Sequence, residues 1–155
     1  MISNSTPLIL LAKIARLEML KKLFGYIIIT NDVKEEVLIE DKSGYFQINE
    51  AIKNGWIKIE NPKRNVELGL GKGENSAINL AKEKNDKLII DDAFAVKAAK
   101  GLNIEFIRTT TVVFIAVEKG IINKKEAVSI INNLIENEYY IAPKYYAEIL
   151  SRISF

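Results

Sequence analysis

The chain has 155 residues, 48 % of them hydrophobic and 27 % charged, with a formal net charge of +2. That length and balance fit a soluble globular domain with one sizeable core, and so small a charge does not by itself argue for a nucleic-acid partner. Neither cysteine nor histidine is present, which excludes disulfides, thiolate metal sites, Ser-His-Asp catalysis and the usual zinc centres. A hydrolase built from this sequence has to work with carboxylates, through a hard cation bound by oxygen.

In chain order, short apolar runs alternate with helical patterns, as in βαβ units around a parallel sheet. Ile2-Ser3-Asn4 reads as a first strand, and Thr6-Pro7 as an N-cap followed by proline at the first helical position. A short helix from Leu17 to Phe24 stops at Gly25. Tyr26 to Ile29 is a buried strand, and Thr30-Asn31-Asp32 caps a helix carrying Val33, Val37 and Leu38. Phe46 to Lys53 is helical, Trp56 to Ile59 extended, and Asn61 to Leu70 a loop. Gly71-Lys72-Gly73-Glu74 opens the next helix. Lys87 to Ile90 is the fourth strand, with Asp91-Asp92 at its end. A helix then runs to Lys100 with Gly101 as its stop signal, and Ile104 to Ile107 is the fifth strand. From Thr111 the chain is helical through Lys119, again from Lys124 to Glu136, and from Pro143 to the end. The expected architecture is a doubly wound, three-layer α/β/α domain with a five-stranded parallel sheet, spanning residues 1–155 as a single unit. No apolar run approaches the ~20 residues of a membrane span. The N-terminal stretch lacks a preceding basic region and a small-residue cleavage site, so the expected location is the cytoplasm.

In such sheets ligands bind beyond the carboxyl ends of the strands, near the point where strand order reverses. Asn4 and Ser5 end the first strand there, Glu36 follows the second, Glu74 opens the helix before the fourth, and Asp91-Asp92 ends the fourth. Glu36 lies beside Val37 and three residues after Val33, so it leans toward the core face of its helix, while Glu35 points away. A carboxylate at a core edge needs a cation or hydrogen-bond donors; a nearby lysine, or rotation into solvent, satisfies it equally. Glu74 in a first helical turn either complements the macrodipole or faces a ligand. One of Asp91 and Asp92 must cap the helix beginning at Ala93, leaving the other free to reach a cleft, unless both merely cap. The glycines at 69, 71 and 73 lack the spacing GxxxxGK[ST] of a phosphate-binding loop.

The segments NSTPLILLAKI, NDVKEEV, GLGKGENSAINLA and KLIIDDAFA, in this order and spacing, resemble the PIN domain, and in particular a prokaryotic branch related to VapC-type toxin ribonucleases. The resemblance covers Met1 to about Ile122 and weakens in the final helices. It implies a sheet of order 3-2-1-4-5 with acids gathered around Mg²⁺ or Mn²⁺. By position it assigns the acids to Asn4, Glu36, Glu74 and Asp92, with Asp91 as the alternative for the last. Ser5 or Thr6 matches the hydroxyl that often follows the first acid. Asn4 departs from the usual aspartate, which removes one negative charge and leaves an amide oxygen as a weaker donor to a hard cation.

The implied activity is divalent-metal-dependent cleavage of single-stranded RNA, leaving 5′-phosphate and 3′-hydroxyl ends, in a protein of the toxin–antitoxin type. The competing reading is a PIN-like module, weak or inactive because of Asn4, that binds RNA or a protein without cutting. Lys72, Lys97 and Arg108 border the acidic edge and are either phosphate contacts or solvated surface cations. A receiver domain would want acids after strands one and three, and a haloacid-dehalogenase-type phosphatase DxD after strand one; NST offers neither. Tyr139, Tyr140, Tyr145, Tyr146 and Phe155 either pack on the sheet or form a homodimer face or an antitoxin-docking groove.

Overall fold

A computed structural model describes residues 1–154; Phe155 lies outside the described residues. The elements in chain order are β1 (Ile2–Ser3), α1 (Ser5–Lys13), α2 (Glu18–Phe24), β2 (Ile27–Ile29), α3 (Asn31–Val37), α4 (Tyr45–Lys53), β3 (Ile57–Ile59), α5 (Lys72–Lys84), β4 (Leu88–Ile89), α6 (Ala93–Gly101), β5 (Phe106–Ile107), α7 (Thr109–Glu118), α8 (Lys124–Glu136) and α9 (Pro143–Ser154). The strands form one five-stranded sheet of order β3-β2-β1-β4-β5, every pairing parallel. This is the expected architecture and strand order.

Helices cover both faces of the sheet, so apart from the buried Ser3 the residues of its central strands are apolar rather than alternating. Ile27, Ile28 and Ile29 are all buried, as are Ile2, Leu88 and Ile89. Each such side chain contributes roughly 1.5–3 kcal/mol relative to exposure. The chain builds outward from β1 to β2 and β3, then returns to lay β4 on the other side of β1. The reversal therefore falls between β1 and β4, and in open parallel sheets the carboxyl edge at that point is where ligands bind. Pairing runs one residue past the strands, since Asn4 N–H donates to the Ile89 carbonyl at 3.1 Å and Ile90 N–H to the Ile107 carbonyl at 2.9 Å. Asn4 and Asp91 are thereby held at the carboxyl edge on either side of the reversal.

Two local expectations need correction. The N-cap of α1 is Asn4, not Thr6: its side-chain oxygen accepts from Ser5 N–H, and Pro7 sits inside the first turn, where a missing N–H costs nothing. Gly101 is the last residue of α6 rather than its stop; the chain turns at Asn103, which takes the left-handed conformation with φ 56°, a role asparagine fills when glycine does not.

Candidate functional site

Glu36, an exposed residue of the last turn of α3, lays its carboxylate against the start of α5. Gly73 N–H donates to Glu36 Oε1 at 3.0 Å, and the Ser5 hydroxyl donates to Oε2. Gly73 is required for this approach, because a Cβ there would lie 2.6 Å from Oε1 and 2.7 Å from the carboxyl carbon. Of the two hydroxyls considered from the sequence, Ser5 is thus the one joined to the site, while Thr6 is exposed. Glu74, one residue further along α5, reaches back to accept from Gly71 N–H at 3.2 Å. Asp92 is the N-cap of α6 and accepts from Ala95 N–H at 2.9 Å. Each carboxylate therefore rests on a backbone amide at a helix start, where the macrodipole favours negative charge.

The acids also sense one another. Glu74 is half-buried and its pKa is raised, first by loss of solvent and then by the charges of Asp92 and Glu36; Gly71 N–H and the Asn4 side chain act in the opposite direction. No lysine or arginine forms an ion pair with Glu36, Glu74 or Asp92 among the described residues. Asn4 is buried, and its Nδ2 is without a hydrogen-bond partner among the described residues. Its Oδ1 is committed to Ser5 N–H, so the group facing the acids is an N–H₂ donor that approaches Glu74 without reaching full hydrogen-bond contact. An unpaired buried donor and a destabilised carboxylate are both features that a ligand relieves.

The donor chemistry fits a hard divalent cation: three carboxylates, no thiolate, no imidazole, and no competing cationic side chain paired with them. As the side chains lie, no three acids among the described residues converge on a common point. The physical reason is visible in their partners, for each is swung onto its own helix-start amide instead of toward the others.

Asp91 does something else. Thr109 N–H donates to its Oδ1 at 3.0 Å, the Thr109 hydroxyl to its Oδ2 at 2.6 Å, and the Tyr139 hydroxyl to Oδ1 at 2.7 Å. The Arg108 guanidinium donates to its main-chain carbonyl at 3.1 Å. The sequence reading that one acid caps and the other is free is therefore corrected. Asp92 caps and also faces Glu74, whereas Asp91 ties the start of α7 and the segment before α9 to the end of β4. Burial, and then the adjacent Asp91 charge, push the Tyr139 hydroxyl well above its ordinary value, so it stays protonated and keeps donating. The contacts of Thr109 and Tyr139 with Asp91, and of Gly73 with Glu36, are not among the sequence expectations. A glycine inside a helical first turn was the one readable signal; the others depend on long-range contacts.

Lys72 and Lys97 are exposed, on α5 and α6 respectively, and enter no ion pair among the described residues. Of the C-terminal aromatics, Tyr146 is half-buried and donates to Asn132 Oδ1 at 2.7 Å, which packs α9 on α8. Tyr140 and Tyr145 remain exposed.

Comparison with known proteins bears on the family and the fold. A family model described as PIN domain matches residues 1–154. A solved structure of a PilT N-terminus domain protein from the hyperthermophilic archaeon Sulfolobus solfataricus P2 aligns with a TM-score of 0.56 over 76 % of this chain and 93 % of that one. At 24 % identity, that likeness speaks for the fold. No curated protein matches the sequence.

Proposed function

This chain belongs to the PIN domain family, a nuclease fold that typically works with divalent metals, and from that premise we propose that it is a metal-dependent endoribonuclease acting on single-stranded RNA. The observation that carries the reading is that Glu36, Glu74 and Asp92 each rest on a helix-start amide at the carboxyl edge where strand order reverses between β1 and β4, with no cationic side chain among the described residues paired to any of them. A site left so negative is stabilised by a bound cation.

Glu36, Glu74 and Asp92 would hold Mg²⁺ or Mn²⁺, which supplies Lewis acidity toward a phosphate oxygen and toward water. Ser5 and Gly73 orient Glu36, and the Gly71 amide orients Glu74. The Asn4 Nδ2 is placed to donate to an oxygen entering at this edge. Lys72, Lys97 and Arg108 would serve as contacts for flanking phosphates. Without histidine the chain has no imidazole base, so its carboxylates are the groups available to accept a proton.

A second reading is favoured by one specific observation. Asn4 turns its amide nitrogen to the acids and its oxygen to Ser5, so it does not replace the usual aspartate as a ligand. On this reading the cation is bound weakly and the protein binds RNA with little cutting. Titration with Mn²⁺ and Mg²⁺, followed by cleavage of a labelled single-stranded RNA, separates the two in wild type and Asn4→Asp. Chelator-sensitive cleavage by wild type, lost in Glu74→Ala and Asp92→Ala, supports the nuclease. Cleavage confined to Asn4→Asp supports the binding module. Wild-type activity retained in both alanine variants removes those acids from the site.

A further inference from the structure

Next to the acidic edge, between α7, α9 and the segment 139–142 that joins α8 to α9, lies a second concavity of about 460 Å³. Its volume falls within the roughly 300–1,000 Å³ of clefts that enclose small planar ligands. Tyr139, Tyr140 and Tyr145 line it, together with Arg108 and Arg152, and Glu148 is its one acid among the described residues. Neither arginine is in an ion pair among the described residues. The Arg152 guanidinium lies over the Phe114 ring, 4.6 Å from its centroid. The cleft is also wired to the acidic edge. The Tyr139 hydroxyl and the Arg108 guanidinium both bond Asp91, the neighbour of Asp92.

We propose that this cleft is a nucleobase subsite for the single-stranded RNA: an unstacked base lies against Tyr140 and Tyr145, and the adjoining phosphate meets Arg108 and Arg152. This rests on the ribonuclease reading and names where the strand continues beyond the scissile position. Exposed aromatic faces interleaved with guanidinium groups are how single strands are gripped, because every base has a face to stack while the phosphates demand positive charge. The shape and charge argue against the other occupants. A docked helix needs a long apolar groove with anchors at i, i+3, i+4 and i+7, and this is a short concavity with threonines and two arginines in its wall. A second copy of the chain would have to bury two unpaired guanidinium groups against a cleft of the same sign.

The test uses fluorescein-labelled oligouridylate and an abasic strand of equal length. Anisotropy is read in EDTA, and cleavage kinetics are read in Mn²⁺. The variants are Tyr140→Ala/Tyr145→Ala, Tyr140→Trp/Tyr145→Trp and Arg152→Gln. Tyr140 and Tyr145 are 83 % and 61 % exposed, so their truncation leaves the core intact. The alanine pair is expected to weaken oligouridylate binding by about 5- to 100-fold and to raise KM more than it lowers kcat, leaving abasic-strand binding unchanged. The tryptophan pair restores affinity, and Arg152→Gln weakens both strands. Wild-type affinity in the alanine pair overturns the subsite, as does failure of wild type to bind oligouridylate in EDTA. Cleavage of the RNA in Mn²⁺ in either case leaves the nuclease reading standing, whereas absence of cleavage removes both. If the alanine pair keeps its RNA affinity and light scattering shows it passing from dimer to monomer, the cleft is a self-association face and the proposal falls.

Discussion

The space that a side chain at Gly73 would fill is taken by the Glu36 carboxylate. Gly73→Ala should therefore gain about 1 kcal/mol of helix propensity and lose the Glu36 contact, leaving the melting temperature nearly unchanged. Mn²⁺-dependent cleavage should fall at least about tenfold, since displacing one ligand of a hard cation weakens the whole set. Equal activity in the variant would mean that the Glu36 position is unimportant. Glu74 gives a prediction in pH. A carboxyl whose folded pKa is raised binds its proton more tightly folded than unfolded, so its contribution to stability is most favourable in acid and is lost as pH rises. The loss begins near the ordinary value of 4.5 and is complete above the raised folded value. Denaturation of metal-free wild type and Glu74→Gln should show the variant gaining on wild type across that window. A difference independent of pH would deny the crowding of Glu74 by Asp92 and Glu36.

At the scale of elements, Asp91 and Asp92 are adjacent in sequence and opposite in duty. Asp91 accepts from α7 and from Tyr139, so Asp91→Ala should cost about 2–4 kcal/mol by leaving the Thr109 amide and the Tyr139 hydroxyl unpaired. Asp92→Ala removes one exposed cap, worth about 1 kcal/mol, yet should abolish cleavage. Urea midpoints and cleavage rates measured on both variants check this, and the reverse ranking would exchange their roles. These two residues also mark how far the sequence could be read. Strand order, the helix starts and the edge that gathers Asn4, Glu36, Glu74 and Asp92 follow from apolar periodicity, from capping signals and from the resemblance, all carried by neighbouring residues. Which acid of a pair caps, and which is drawn across to Thr109 and Tyr139, depends on partners 18 and 48 residues away. No local pattern encodes that choice. The same holds for Asn4, whose cap on Ser5 competed with an equally good Thr-Pro signal and won because pairing to Ile89 fixes its backbone.

For the molecule as a whole, a net charge of +2 predicts RNA binding governed by a few local cations rather than by a broad basic face. With Lys72, Lys97 and Arg108 as phosphate contacts, log K against log salt should fall with a slope of about −2, at about 0.7 per phosphate on a single strand. Arg152 shares the phosphate of Arg108 and adds no separate contact, so a much steeper slope would point to a larger footprint. The placement of the acids carries a further consequence. Glu36, Glu74 and Asp92 rest on the amides of Gly73, Gly71 and Ala95, so a cation that draws on the carboxylates changes the negative charge these three N–H groups meet. Occupancy is thereby written into the main chain at residues 71, 73 and 95. Deuterium uptake or the amide resonances of those residues should follow cation loading directly, in a protein that has no histidine or cysteine to act as a spectroscopic handle.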